Sequence, residues 1–258
     1  MTSGLGVVIP AYQPDPDRLA IYIDTLESTL EPARIHVELD APAPAVTDRL
    51  AATCATIATV ESRRGKGKAI TAGFERLETP ILGFVDADGS TQAAEFDQIV
   101  SHVRNGNADL AVGSRRHPQA HVSVHQSRFR RRFGDLFAHI AGIVLPLSLY
   151  DYQCGAKVMT RETWDGIRDG LVTPGFAWDI DLLSTAHRRG YRINEVPITW
   201  EDREGSTVDT VSTGIDFALA LLRAHHLHRV ERGRPIHSGL SRFISQPTPL
   251  IEQPLVDE

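Results

Sequence analysis

The sequence predicts an α/β fold, with a mostly parallel central sheet flanked by helices. Short apolar runs alternate with segments of helical periodicity through the first half of the chain. Strands separated by helical patterns are typical of parallel sheets whose two faces are covered by helices. A hydrophobic content of 41% and a charged content of 23% in 258 residues are ordinary for a globular protein. The chain is therefore long enough for one large domain or two small ones.

The first half carries this alternation most clearly. Strands are expected where apolar runs end at turn-forming or charged residues, at Leu5–Ile9, Ile35–Leu39, Ala58–Glu61, Ile81–Val85 and Asp109–Gly113. Helices are expected where apolar residues recur three and four positions apart, at Asp17–Leu30, Ala45–Ile57, Gly67–Leu77 and Glu95–Arg104. Ligands of such sheets bind beyond the carboxyl ends of the strands, so the residues that follow each run are the first candidates for a site.

The second half is less regular. A long apolar segment with a basic start covers Phe129–Leu149, and further elements are expected at Gly155–Thr160 (strand), Trp178–Arg189 (helix), Tyr191–Trp200 (strand) and Val211–Val230 (helix). Four prolines after Gly233 predict an irregular arm over residues 233–258. No linker follows residue 113, so we expect a single domain over residues 1–232.

Two acids, Asp86 and Asp88, come directly after the predicted strand Ile81–Val85. Because side chains alternate along an extended chain, the two carboxylates point to the same side. Their mutual repulsion is relieved by a cation between them, and a hard divalent ion that also binds a diphosphate is the natural candidate. The alternative is a solvated turn, which Asp-Ala-Asp-Gly also suits.

Composition excludes some classes of function. The net charge of −6 argues against general nucleic-acid binding. Two cysteines, Cys54 and Cys154, suggest a reducing compartment rather than a disulfide framework. We see no signal peptide at the N-terminus and no apolar stretch of the roughly 20 residues that span a bilayer. We therefore expect a cytoplasmic protein that is soluble or lies on a membrane surface.

Five segments in this order resemble glycosyltransferase family 2, and within it the dolichyl-phosphate glucosyltransferases and related polyprenyl-phosphate hexose transferases. They are Val8–Tyr12, Gly65–Ala69, Asp86–Gly89, Gly113–Arg115 and Asp151–Gly155. The resemblance runs from about residue 5 to residue 207. It implies a GT-A (Rossmann-like) fold, a nucleotide-sugar donor, Mg²⁺ or Mn²⁺, and a lipid-phosphate acceptor. The donor half would cover about residues 1–115 and the acceptor half about residues 116–232.

The resemblance also implies which residues bind the donor. It casts Asp88 as a metal ligand and Asp86 as a contact to the ribose or the metal. The full set of implied donor contacts is Pro10, Tyr12, Asp15, Asp40, Lys66, Lys68, Asp86, Ala87, Arg203 and Ser206. The basic run Arg64–Lys68 suits an anion physically, because glycines allow close approach and a helix N-terminus attracts negative charge. A solvated basic turn is its alternative.

The chain departs from the family pattern after the first two strands. Gln13-Pro14-Asp15 stands where the family usually has Asn-Glu. Glu38–Pro42 stands where it generally has Val-Asp-Asp-Gly-Ser, and only Asp40 matches the second acid, which would accept a hydrogen bond from the base. Asp40 as a helix cap or turn residue is the alternative. The identity of the base is left open.

A concentration of arginines and one acidic segment would serve the acceptor. The resemblance places Arg115, Ser127, Arg128, Arg132, Asp151 and Gln153 in this set. Arginine forks suit phosphate. A basic start beside an apolar stretch is how interfacial helices lie on anionic membranes. A core helix over Phe129–Leu149 fits the periodicity equally well, and the acceptor class favours the membrane surface.

Two further acids, Asp179 and Asp181, match an acidic pair of the family and complete the catalytic set with Asp88. They could hold sugar hydroxyls, while Asp179 could equally start its helix. Trp178, Trp200 and Cys154 are expected in the core.

The implied reaction is an inverting transfer of a hexose, glucose from UDP-glucose, to dolichyl or another polyprenyl phosphate at the cytoplasmic face of a membrane. A phosphate acceptor is largely ionised at neutral pH and needs little help from a general base. Two alternatives stay open: transfer to a sugar or protein hydroxyl, with Asp179 or Asp181 as base, and a catalytically silent domain that binds nucleotide sugar. A membrane-protein partner or a homo-oligomer is also left open.

Overall fold

The computed structural model describes residues 3–122, 142, 145, 147–200, 217–226 and 247–254. Within these ranges the strands are β1 (Ser3–Tyr12), β2 (Pro32–Asp40), β3 (Thr56–Val60), β4 (Ile81–Val85), β5 (Leu110–Ser114), β6 (His121–Val122), β7 (Ala156–Thr160), β8 (Ile193–Pro197) and β9 (Thr199–Trp200). The helices are α1 (Pro16–Leu30), α2 (Pro44–Leu50), α3 (Lys66–Glu75), α4 (Ala93–Arg104), α5 (Arg161–Ile167) and α6 (Trp178–Arg188). Residues 217–226 are also helical.

The described strands form a seven-stranded sheet in the order β3-β2-β1-β4-β7-β5-β8, and β6 pairs with β9 beside it. All neighbours in the large sheet are parallel except β7, which runs antiparallel to both β4 and β5. The predicted α/β fold with a mostly parallel sheet is confirmed. The carboxyl ends of β1, β2, β3, β4, β5 and β8 therefore lie along one edge, together with the amino end of β7.

Helices cover both faces of the sheet, and successive side chains of β1 are buried alternately on one face and on the other. Val7 and Ile9 pack into the cluster formed with α1, α2 and α4, whereas Val8 packs into the cluster formed with α3, α5 and α6. The second cluster contains the largest fully buried side chains, Trp164 and Trp178 among them. Trp178 and Cys154 are thus core residues, as predicted; the side chain of Trp200 lies outside the described residues.

Several boundaries differ from those the sequence predicted. The helix predicted over Ala45–Ile57 ends at Leu50, because the hydroxyl and the amide of Thr53 both donate to the Leu50 carbonyl in a turn that stops it. Helix α5 was missed, although Thr160 provides a cap by accepting from the Thr163 amide. The strand predicted over Tyr191–Trp200 is divided into β8 and β9.

Two expectations concern the termini and the membrane. In the predicted C-terminal arm, Leu250 is buried and its amide donates to the Leu171 carbonyl at 2.8 Å. Of the predicted helix Val211–Val230, residues 217–226 are helical and the rest lies outside the described residues, as does most of Phe129–Leu149.

Among the described residues, no helix combines the length and the apolar character that crossing a bilayer requires.

Close packing of α3 on β1 depends on Gly73, and replacing it by alanine tests this. A Cβ at residue 73 would lie 2.6 Å from Cγ1 and 2.8 Å from Cγ2 of Val8. We expect Gly73→Ala to destabilise the fold by about 1–3 kcal/mol despite the better helix propensity of alanine. Chemical denaturation of Gly73→Ala, Val8→Ala and the double variant measures this. The double variant should be more stable than the sum of the two single effects, since Val8→Ala removes the clashing methyls; strict additivity would contradict the account.

Candidate active site

The acidic pair lies at the carboxyl end of β4, where the amino end of β7 begins. The Asp86 amide donates to the Gly155 carbonyl at 2.9 Å, which extends the pairing of Val85 with Ala156 by one step. A Cβ at Gly155 would lie 1.8 Å from Oδ2 of Asp86. Residue 155 therefore has to be glycine for the Asp86 carboxylate to occupy this position.

Asp86 forms an ion pair with Lys66, the first residue of α3. Lys66 Nζ lies 2.9 Å from Asp86 Oδ1, and the lysine side chain is only 9% exposed while that of Asp86 is 42% exposed. The surrounding protein restricts solvation of the carboxylate, which raises the pKa of Asp86. The positive charge of Lys66 opposes this increase and the negative charge of Asp88 adds to it, so that the pKa is raised overall. Burial would lower the pKa of the Lys66 ammonium, but Asp179 and Asp86 outweigh it and raise that pKa.

Asp88 is exposed, and its position is set by a tight turn. Its Oδ1 accepts from the Ser90 amide at 2.8 Å, and Gly89 between them has a φ of 66°. Ala87 is partly buried and packs against the core. The turn that the sequence offered as an alternative is therefore present, and it presents the Asp88 carboxylate at the sheet edge beside that of Asp86.

Asp86 and Asp88 offer carboxylate oxygens, which are the type of ligand that hard divalent cations prefer. Across the ranges that the structure describes, no group of three or more His, Cys, Asp or Glu side chains could hold a metal ion. Mg²⁺ typically binds through one or two carboxylates and substrate phosphates rather than in an all-protein cage. These residues would hold Mg²⁺ or Mn²⁺ together with the oxygens of a bound diphosphate.

The glycines beside Lys66 have a packing role that sequence reasoning did not foresee. Gly65 has a φ of 95°, and a Cβ there would lie 2.8 Å from the Pro174 carbonyl oxygen. A Cβ at Gly67 would lie 2.6 Å from both the Thr173 carbonyl oxygen and Cβ of Trp178. The amide of Lys68, itself buried, donates to the Pro174 carbonyl at 3.0 Å. The start of α3 is thus packed against residues 173–178.

Asp179 is buried between two lysines at the first turn of α6. Its Oδ1 accepts from Lys157 Nζ at 2.6 Å, and its Oδ2 lies 3.6 Å from Lys66 Nζ. Sequence reasoning missed Lys157, which lies in β7 with a fully buried side chain. The available signal was a lysine in the apolar run Gly155–Met159, since a buried lysine requires an acidic partner.

Asp181 is also engaged by the protein. Its Oδ2 accepts from the amides of Val172 and Thr173 at 2.8 and 3.1 Å. The carboxylate therefore fixes the segment that packs on Gly67. The predicted catalytic roles of Asp179 and Asp181 remain predictions, and the contacts described here are additional to them.

Asp40, at the end of β2, is bound to the segment before α3. Its oxygens accept from the Arg64 amide at 2.8 Å, from Arg64 Nε at 2.8 Å and from the Gly65 amide at 3.1 Å. Arg64 Nη2 also donates to Glu38 at 2.8 Å, and Glu38 pairs with His36 at 2.9 Å. Burial would raise the pKa of the Glu38 carboxyl, but hydrogen bonds from His36 and Arg64 lower it overall. Arg64 and Glu38 were not predicted as site residues.

The loop after β1 lies beside Asp40, since Tyr12 pairs with Asp40 in the sheet. The guanidinium of Arg63 lies 4.3 Å from the centre of the Tyr12 ring, which is a cation–π contact. Pro10 is within β1, opposite Glu38. Asp15 caps α1 by accepting from the amides of Asp17 and Arg18, both at 3.1 Å.

Arg115 and Asp151 form a two-pronged ion pair at the carboxyl end of β5. Nε and Nη2 of Arg115 donate to Asp151 at 2.7 and 3.0 Å, and the Gln153 amide donates to the same carboxylate at 3.0 Å. The Asp151 amide in turn donates to Glu195 of β8 at 2.8 Å. Burial would raise the pKa of the Asp151 carboxyl, but Arg115 lowers it to about 2.

The remaining predicted residues, Ser127, Arg128, Arg132, Arg203 and Ser206, lie outside the described residues. Of those that are described, Asp86 and Asp179 both form ion pairs with Lys66. Asp40 and Tyr12 lie at the ends of neighbouring strands of the same edge.

A mostly parallel sheet with an acidic pair and a basic helix start at its carboxyl edge is the arrangement expected of a GT-A glycosyltransferase domain. The chain belongs to glycosyl transferase family 2, whose family model matches residues 6–163. This confirms the resemblance inferred from the motifs.

Curated relatives and solved structures agree with this assignment. The chain is 30% identical over 85% of its length to glycosyltransferase AglD of Haloferax volcanii, of which the match covers 36%. It is 30% identical over 64% of its length to the dolichyl-phosphate beta-glucosyltransferase of Dictyostelium discoideum, of which the match covers 51%. The chain thus spans between about a third and a half of these relatives.

Glucosyl-3-phosphoglycerate synthase from Mycobacterium tuberculosis, solved with Mn²⁺, UDP-glucose and phosphoglyceric acid, has a similar fold. Its TM-score is 0.67 at 16% sequence identity, with 86% of this chain and 79% of that chain covered. At this identity the likeness establishes the GT-A fold, which was the predicted one.

The Arg115–Asp151 pair predicts a defined pH dependence of stability. The pKa of Asp151 is lowered, so its contribution of about 2 kcal/mol is present above pH 4 and is lost as the pH falls toward 2. We expect Asp151→Asn to be less stable than the wild type at pH 7, with a difference that shrinks below pH 4. Denaturant unfolding between pH 3 and pH 7 measures it. A difference that stays constant over this range would contradict the assignment.

Proposed function

We propose that this chain transfers a hexose, glucose from UDP-glucose, to dolichyl or another polyprenyl phosphate in a metal-dependent, inverting reaction. The observation that carries the proposal is the group formed by Asp86, Asp88 and Lys66 at the carboxyl end of β4. It combines oxygen ligands for a divalent ion with a buried ammonium, and both suit a diphosphate leaving group. The names of the curated relatives support glucose as the sugar and dolichyl phosphate as the acceptor.

Asp88 and Asp86 would hold Mg²⁺ or Mn²⁺, which when bound offsets the negative charge that builds on the departing diphosphate. Lys66 would contribute to the same task, because its ammonium lies beside Asp86 at the start of α3. Asp40 and Tyr12 would contact the nucleobase at the neighbouring strand ends. Arg203 and Ser206 would contact the diphosphate, as the family resemblance implies.

The acceptor phosphate would attack the anomeric carbon from the face opposite the diphosphate. A bond forms between an oxygen of the acceptor phosphate and the anomeric carbon. The bond from that carbon to the diphosphate oxygen breaks, and the configuration at the anomeric carbon inverts. A phosphate monoester has a second pKa of about 6, so the attacking oxygen carries no proton that a base must remove. Arg115, Ser127, Arg128, Arg132 and Gln153 would position it.

The engagement of the two acids in α6 supports a phosphate acceptor over a hydroxyl acceptor. A hydroxyl needs a general base with room to accept a proton. Asp179 is held by Lys157 and Lys66, and Asp181 accepts two backbone hydrogen bonds. Both sets of contacts occupy carboxylate oxygens that a substrate hydroxyl would otherwise approach.

A lipid acceptor would bring the domain, residues 1–232, to the cytoplasmic face of a membrane as a peripheral protein. The arginine-rich start of Phe129–Leu149 supports such a contact, because basic residues beside an apolar stretch favour anionic membrane surfaces.

Removal of the Asp88 carboxylate tests the function directly. We expect Asp88→Asn to lose at least 100-fold in hexosyl transfer at saturating Mn²⁺, because the ion loses a ligand. The assay uses a panel of nucleotide sugars with a short polyprenyl phosphate, and mass spectrometry identifies the product. Asp48→Asn, the same change at an exposed position in α2, is the control and should retain full activity. Near-normal activity of Asp88→Asn would refute the metal assignment, and donor binding without turnover in the wild type would indicate a silent domain.

Arg128 is expected to act on the acceptor rather than on the donor. Arg128→Ala should raise the KM for polyprenyl phosphate about tenfold and leave the KM for the nucleotide sugar nearly unchanged, because one charge-assisted phosphate contact is lost. Arg192→Ala serves as the control, since Arg192 pairs with Asp109 at the opposite edge of the sheet. Equal changes in the two KM values would contradict the acceptor role.

A further inference from the structure

Lys157 is a buried cation beneath the candidate site, and the protein provides two acceptors for it. Its side chain is 0% exposed, and Nζ donates to the Cys154 carbonyl at 2.8 Å and to Asp179 Oδ1 at 2.6 Å. In the sheet it lies between Phe84 of β4 and Val112 of β5. Removing a charge from water costs several kcal/mol unless it is compensated, so Lys157 and Asp179 require each other.

Asp179 connects this buried cation to the site edge. While Oδ1 is taken by Lys157, Oδ2 lies 3.6 Å from Lys66 Nζ, and Lys66 Nζ lies 2.9 Å from Asp86 Oδ1. The four groups alternate in charge: Lys157, Asp179, Lys66 and Asp86. Two positive and two negative charges balance, so each member is held by its neighbours.

We propose that Lys157 is a positioning residue of the donor site: it fixes Asp179, which holds the Lys66 ammonium beside Asp86, where Lys66 meets the diphosphate. That Lys66 meets the diphosphate rests on the proposed function, whereas the positioning of Lys66 by Asp179 rests on the contacts alone. Lys157 touches no substrate, since it is fully buried, and it acts through Asp179.

The physical gain is a lysine that is ordered before the donor arrives. A free lysine side chain loses roughly 2 kcal/mol of rotamer entropy when it is fixed on a ligand. Two carboxylates from different elements, Asp86 and Asp179, confine Lys66 in advance, which lowers this cost on binding. With Asp86 as its only partner, Lys66 would sample more positions, and more of them would lie away from the diphosphate.

The double variant Lys157→Met/Asp179→Asn separates positioning from folding. Lys157→Met alone leaves Asp179 without its nearest cation and is expected to be destabilised. The double variant removes both charges and conserves volume, and replacement of a buried pair by neutral groups is often tolerated. Trp164→Phe is the control, because it disturbs the core on the same sheet face and loses the contact to Glu75 without touching the four charged groups.

Two readouts are needed. The first is the rate at which an amine-reactive ester acylates Lys66, followed by peptide mass spectrometry, which requires no activity. The second is the KM for UDP-glucose with Mn²⁺ and a short polyprenyl phosphate. We expect the double variant to melt near the wild-type temperature, to show acylation of Lys66 at least fivefold faster, and to have a donor KM at least tenfold higher. Trp164→Phe should melt earlier with both readouts unchanged.

Unchanged acylation of Lys66 in the double variant would overturn the proposal, as would a double variant that does not fold, because Lys157 would then be purely structural. Faster acylation with an unchanged donor KM would overturn the link to the diphosphate. Faster acylation in a protein whose wild type binds no nucleotide sugar would confirm the hold on Lys66 and refute the proposed function instead.

Discussion

The antiparallel direction of β7 is the constraint on which the candidate site depends. Because β7 runs against β4 and β5, its amino end lies at the edge where the parallel strands end. Gly155 thereby meets Asp86, and Lys157 lies two residues further in, under the acids. A parallel strand in this place would bring Thr160 to the edge and take Gly155 and Lys157 to the opposite one. The site would then lose both the space for Asp86 and the cation beneath Asp179.

Ion pairs between residues far apart in the sequence fix the rest of the carboxyl edge of the sheet. Asp86 pairs with Lys66, Asp40 with Arg64, and Asp151 with Arg115, and in each case the partners come from separate elements. Exposed ion pairs contribute little to stability, but these acids and bases are partly or fully withdrawn from water, so breaking a pair leaves a costly charge. Each pair therefore fixes the relative position of two segments. The start of α3 is the clearest case, since Lys66 and Arg64 tie it to β4 and β2 at once.

Local sequence patterns predicted most of the fold, whereas the pairing of strands and of charged residues far apart in the sequence could not be inferred from them. Apolar runs and their polar ends located β4 and the edge position of Asp86, because both depend on neighbouring residues only. The direction of β7 depends on which strands flank it, and no periodicity of Gly155–Thr160 reports that. Lys157 carried a signal as a lysine among apolar residues, but its partner is 22 residues away in α6. The glycines at 65 and 67 suggested a ligand, and much of their necessity comes from residues 173–178.

The departure from the family pattern after β2 is best understood from the contacts of Asp40. Glu38 and Asp40 face Arg64, whereas Leu39 points to the opposite face and is fully buried in the core. The apolar residue at 39 is therefore accommodated by packing. The two acids share Arg64, and Glu38 also pairs with Arg76 at 3.3 Å. A carboxylate offers about four acceptor positions, and three at Asp40 are taken by Arg64 and Gly65. If Asp40 contacts the base as proposed, it has capacity for about one more donor. The ring N–H of uracil or the exocyclic amino group of cytosine would fill that position, so the acid would favour a base that presents a donor to it.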